Sequence, residues 1–158
     1  MKPPVLAAAL VLTASLAAAA VSSAGDSTSM LERGKLLVTY GGCNDCHTPG
    51  WQEADGRIAV SHWMTGSSIG FKGRWGVSYP ANVRLLFQEI SEDQWLFSVR
   101  TRGGHPPMHW TDLRALSTDD QRAIYRFIHS LGPAGTVSPA AVPPWETPKT
   151  PVIDTVPH

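Results

Sequence analysis

The sequence predicts an all-α domain with long loops and a proline-rich, extended C-terminal tail, and three observations carry that prediction. Three segments combine a capping residue with apolar spacing near that of a helix, the residues from Thr48 to Ile90 show no sustained two-residue alternation, and six prolines follow Pro133. Once residues 1–24 are set apart, the remainder is large enough for one modest core and small enough to profit from a covalent or metallic staple. The organisation expected is a leader over 1–24, one domain over 25–135 and a tail over 136–158.

Lys2 precedes the apolar run 5–21 and then the small residues Ser22, Ser23 and Ala24, the layout of an export signal cleaved after Ala24. The run is roughly as long as the shortest membrane spans, so an uncleaved N-terminal anchor is the rival reading. No cysteine follows the small residues to accept a lipid, and no second long apolar run exists. The first helix is expected from about Met30 to Tyr40, after the cap candidates Asp26, Ser27, Thr28 and Ser29, with Gly41 and Gly42 as its stop. Cys43 is then delivered at its C-terminal end.

Between Thr48 and Ile90 the many Gly and Ser residues predict a long loop region, with sheet limited to short pieces. A second helix starts at Ser91, whose spacing to Gln94 is that of a capping box, and ends near Arg102, before Gly103 and Gly104. A third is capped by Ser117 or Thr118, carries Asp119 and Asp120 in its positive first turn, repeats Ile124, Ile128 and Leu131 at helical spacing, and stops at Gly132 and Pro133. The tail reads as extended, either free or strapped across the domain.

Charge excludes one class of partner. The 13 Lys plus Arg balance 13 Asp plus Glu, and loss of Lys2 leaves 12 against 13, so nothing attracts nucleic acid. The six tryptophans, at 51, 63, 75, 95, 110 and 145, build either an aromatic core or a wall around a large flat apolar group.

Both cysteines lie in CNDCH, residues 43–47. A Cys43–Cys46 disulfide closes a very small ring and stabilises little. A thiol oxidoreductase places its CxxC at a helix N-terminus, whereas this pair follows a helix and lacks a βαβ pattern. Zinc needs a closed ligand shell, and Cys43, Cys46 and His47 supply three donors with no second CxxC. The remaining reading is one covalent haem c: both thiols bond the porphyrin edge and His47 is set beneath the iron. For the opposite face, RGGHPPMHW at 102–110 offers Met108, with Pro106 and Pro107 stiffening the approach and a soft thioether that raises the potential. Met64, His62, His105 and His109 are the competing ligands.

Taken in order, CNDCHTPG, GFKGRWGVSYPAN at 70–82, PPMHW and STDDQRAIYRFIHSLGPAG resemble the monohaem class I cytochrome c domains, especially those similar to the cytochrome subunits of bacterial membrane-bound alcohol and sugar dehydrogenases. The resemblance spans roughly residues 30–135. It implies a haem-wrapping all-α fold with N- and C-terminal helices packed together, Cys43 and Cys46 as covalent haem attachments, and His47 and Met108 as axial ligands of the iron. It also implies that the segment around Trp75, Tyr79 and Asn82 covers one side of the haem, with Arg74 or Trp75 meeting a propionate. The chain departs from those relatives in having one such domain rather than three, NVRLLFQ where they carry Asn-Leu-Thr-Pro, and a shortened GGHPPM before the distal Met.

The function expected is that of a periplasmic one-electron carrier and not an enzyme, docking weakly with a dehydrogenase or quinol-oxidising complex and a terminal acceptor. The alternative is a haem-based small-molecule sensor or peroxidase-like enzyme with a displaceable sixth ligand, and His105 or His109 as distal groups. A third reading is a structural subunit that relays electrons inside a fixed complex with the tail lying on a partner.

Overall fold

The computed structural model describes residues 28–155, so the expected leader over 1–24 lies outside them. A helix over 28–40 (α1) opens the described chain and stops where Gly41 N–H donates to the Leu37 carbonyl at 2.8 Å and Gly42 takes φ 66°. That left-handed turn is the one glycine makes without strain. There follow a short helix Cys43–His47 (α2) and a 3-10 turn Val60–His62. Two strands come next, Gly70–Gly73 (β1) and Gly76–Ser78 (β2), and then the helices Val83–Glu89 (α3), Glu92–Thr101 (α4), Trp110–Ala115 (α5) and Thr118–Ser130 (α6). A last strand, Val152–Asp154 (β3), closes the series.

Both later helix expectations hold. Ser91 accepts from Gln94 N–H while Gln94 reaches back to the Ser91 backbone, a complete capping box, and Ser117 accepts from Asp120 N–H at the start of α6. The all-α class does not hold. A three-stranded sheet in the order β2-β1-β3 makes the fold mixed α and β, β1 pairing antiparallel with β2 and parallel with β3. The strands of three or four residues are too short to display alternation, and β3 comes from the tail, whose pairing with Phe71 and Lys72 is a contact between distant segments that no local pattern encodes. The helices α3 and α5 were likewise absent from the local reading. α3 is capped by Asn82, whose side-chain oxygen accepts from Leu85 N–H.

The core forms where α6 meets α1, α3 and α4. Ile124, Tyr125, Phe127 and Ile128 of α6 pack with Val38, Phe87, Trp95, Leu96 and Val99. Phe87 lies 5.0 Å from Trp95 and 4.7 Å from Tyr125 between ring centres, and Tyr125 donates its hydroxyl to the Ile90 carbonyl at 2.7 Å. α1 crosses α6 at Gly34, which is buried; a Cβ there would overlap the Ala123 carbonyl and lie 2.6 Å from Phe127 Cβ. Beside the crossing, Arg33 grips Asp120 with two hydrogen bonds of 2.7 and 3.1 Å. The guanidinium of Arg33 holds the Asp120 carboxyl below its usual range. Arg84 of α3 is buried and donates to the carbonyls of Ser61, Leu131 and Gly132, placing a cation at the negative C-terminal end of α6.

The tail is strapped, not free. Val77 and Val142 exchange hydrogen bonds of 2.8 and 2.9 Å, Tyr79 OH meets Thr150 Oγ1 at 2.7 Å, and Gly70 N–H donates to the Pro151 carbonyl. Among the described residues no helix is long and apolar enough to cross a membrane.

Candidate functional site

The site is built on the turn after α1. Gly42 in its left-handed conformation reverses the chain, and Cys43 becomes the first residue of α2 rather than the end of the preceding helix. Cys43 and Cys46 are three apart on that helix and therefore share one side of it, and His47 follows at its C-terminal end. Both cysteines are free and partly buried.

Burial pushes the Cys43 thiol up to about 11, with Asp45 and Cys46 adding to the effect against a backbone hydrogen bond that lowers it. Cys46 is also raised, by burial and then by Asp45. The position at a helix start corrects one expectation, since a helix N-terminus favours a reactive thiolate. Five residues supply little dipole, however, and desolvation wins, so the site raises both thiols rather than activating them.

The imidazole is oriented by a distant segment. His47 Nδ1 lies 2.8 Å from the Ala81 carbonyl, so with the proton on Nδ1 the ring donates there and keeps Nε2 as an available lone pair. This is the arrangement in which a protein holds a metal-binding histidine. Burial lowers the His47 pKa while the Ala81 hydrogen bond opposes it, so the neutral, ligating form is favoured. Below it, Thr48 Oγ1 donates to Asn44 Oδ1 at 2.7 Å and accepts from Met64 N–H at 2.9 Å, which ties α2 to the 63–66 segment. Gly66 N–H in turn donates to the His47 carbonyl at 2.8 Å.

The tryptophans divide between the two readings. Trp63 and Trp95 are core residues whose indole N–H groups reach the Ile58 and Gln121 carbonyls, and Trp51 packs edge-on to Trp63 at 5.2 Å. Trp75 lies over Gly73 and Trp110 over Gly104, and each buries an indole N–H that meets no acceptor among the described residues. Trp145 is 86% exposed.

These residues fit a covalently held haem. Two thiols sit one turn apart, and the adjacent imidazole has one nitrogen occupied by a carbonyl and the other left over. Among the described residues no three His, Cys, Asp or Glu side chains converge to hold a single ion, so the thiols and imidazole do not assemble a closed zinc shell.

Met108 stands apart. It is 39% exposed and lines a groove of about 430 Å³ with Gly103, Gly104, His109 and Trp110, whereas Cys46 lines another of about 420 Å³. The structure therefore sets Cys43, Cys46 and His47 on one short helix and places Met108 in a different groove from the one Cys46 lines. Its loop is tethered by Ser78 Oγ, which donates to the Pro106 carbonyl at 2.5 Å. Of the competing ligands, Met64 is 2% exposed in the core, while His62, His105 and His109 are exposed, His109 lying 3.3 Å from Asp112. Ala81, Gly66 and Arg84 were not singled out from the sequence. Their roles rest on backbone groups and long-range contacts, which leave no local signal in the sequence. No family model, curated protein or solved structure matches this chain.

Proposed function

We propose that this protein is an exported, periplasmic one-electron carrier holding a single haem c through Cys43 and Cys46, with His47 and Met108 as the axial ligands of its iron. The observation that carries the reading is the pairing of two thiols one helical turn apart with an adjacent histidine whose Nδ1 is bonded to the Ala81 carbonyl. A bound haem of this kind supplies a one-electron ferric–ferrous couple, and a thioether ligand biases it toward the reduced form. The chain's own contributions are attachment by the thiols, orientation of the imidazole by Ala81, hydrogen-bond donation to a carboxylate by the Trp75 indole, and exclusion of water by the aromatic core. No substrate is transformed. The partners are redox proteins, a dehydrogenase or quinol-oxidising complex on one side and a terminal acceptor on the other, met through small transient interfaces.

A second reading, a small-molecule sensor or peroxidase-like enzyme, is favoured by one observation: Met108 is exposed in a groove separate from that of Cys46, with His109 beside it. The experiment that tests the proposal is an optical titration of the protein purified after export with cytochrome maturation. The carrier reading requires covalent haem that is low spin, with the weak red band of a Met–iron bond in the oxidised form. A high-spin or carbon monoxide-binding haem overturns it in favour of the second reading, and full haem attachment in Cys46→Ser overturns the attachment itself.

A further inference from the structure

Three segments distant in sequence converge behind the His47 imidazole. Ala81, whose carbonyl accepts from the imidazole, is flanked by two residues held by the start of the tail and the turn leading into it. Ser138 Oγ donates to the Pro80 carbonyl at 2.7 Å, beside a longer bond of 3.1 Å from Ser67 N–H, and Asn82 Nδ2 donates to the carbonyls of Ala134 and Thr136 at 2.8 and 3.1 Å. Asn82 is 5% exposed, and its Oδ1 simultaneously caps α3 through Leu85 N–H. Two glycines admit the close approach. Gly66, at φ 78°, would drive a Cβ into Ser138 Oγ and to 2.7 Å from Asn82 N, and Gly135, at φ 73°, would bring one to 3.1 Å from Asn82 Nδ2. Gly66 is also the residue bonded to the His47 carbonyl.

We infer that Ser138 and Asn82 are positioning residues for His47: they clamp the Ala81 carbonyl against the imidazole N–H, so the proline-rich tail tunes an iron that it does not touch. The inference rests on the haem reading above. A hydrogen bond from Nδ1 raises the basicity of the ligating nitrogen, and a more basic ligand favours the ferric ion. A fixed Ala81 carbonyl therefore holds the potential down, and a loosened one lets it rise. The tail is joined to β1 and β2 as well, so losing one clamp bond leaves the strap in place and changes mainly this one peptide.

The test uses the full-length holoprotein and its Ser138→Ala, Ser138→Thr and Asn82→Asp variants. Haem content is measured as the pyridine haemochrome, the reduction potential by redox titration, and opening of the clamp as the exchange rate of the His47 Nδ1 proton by NMR. Ser138→Ala is expected to raise the potential and to speed exchange about fivefold, the effect of losing one hydrogen bond near 1 kcal/mol. Ser138→Thr, which keeps the hydroxyl, restores both. Asn82→Asp keeps the cap oxygen and loses both donors, so its shift is larger; if that variant does not fold, the Ser138 pair decides. Normal haem content with unmoved potential and exchange in Ser138→Ala, or the same shift in Ser138→Thr, overturns this inference alone. Wild type without covalent haem overturns the parent reading and this one with it.

Discussion

Gly34→Ala separates a packing role for this glycine from its intrinsic helix propensity by the sign of the effect. In a solvent-exposed helix interior the change stabilises by about 1 kcal/mol, because alanine loses less chain entropy. Here Gly34 lies at the α1–α6 crossing, and the added Cβ would overlap the Ala123 carbonyl and sit 2.6 Å from Phe127 Cβ, where ordinary contact begins at 3.4 Å. Both obstacles belong to α6 and neither is the free end of a side chain, so the helices must part by about 1 Å, at an overpacking cost of roughly 3 kcal/mol. Set against the propensity gain, a net loss of about 2 kcal/mol remains. With a urea slope near 2 kcal/mol per molar for a domain of this size, the midpoint falls by about 1 M in equilibrium unfolding followed by circular dichroism. An unchanged or higher midpoint would refute the crossing. The consequence reaches the site, since α1 leads through Gly41 and Gly42 directly to Cys43.

Met108→Ala is expected to give a high-spin haem with a lowered potential in a protein that stays folded, because an exposed thioether carries little packing energy; an unchanged spectrum and potential would remove Met108 from the iron. Arg84→Met leaves three carbonyls without their donor, and thermal unfolding should report a loss of about 3 kcal/mol, roughly one for each bond. A loss indistinguishable from zero would refute the anchoring of α3 to the end of α6. Asp120 titrates in the folded protein below its ordinary 3.8, chiefly through the Arg33 hydrogen bond, so the folded state keeps the proton off longer than the unfolded chain does. Its stabilisation is therefore complete well above 3.8 and is lost as pH falls through the lower folded value. Asp120→Asn should flatten the acid limb of a stability–pH curve. An acid limb identical to wild type would contradict the pairing.

Much of the helical frame was legible. Ser91 with Gln94, and Ser117 ahead of Asp119 and Asp120, announce α4 and α6 because a capping residue and its partner lie within one turn of each other. Gly41 and Gly42 likewise mark the end of α1. The seven residues of α3 and the six of α5 offered too few turns for periodicity, and Asn82 as a cap was hidden within a run that read as loop. The pairing of β3 was beyond local reading because Ile153 pairs with Phe71, more than eighty residues away.

The same division runs through the site. By itself the sequence determined which chemistry is available at 43–47, since the spacing of two thiols and an imidazole is set by adjacent covalent links. It also determined where the main helices begin, because caps act within a few residues. Only the tertiary structure decided that Ala81 turns its carbonyl to His47, that Ser138 and Asn82 hold it there, and that Met108 lies in a groove apart from Cys46. Those facts depend on backbone groups from segments far apart in the chain, and every residue carries the same backbone carbonyl, so no pattern of side chains singles out the one that binds.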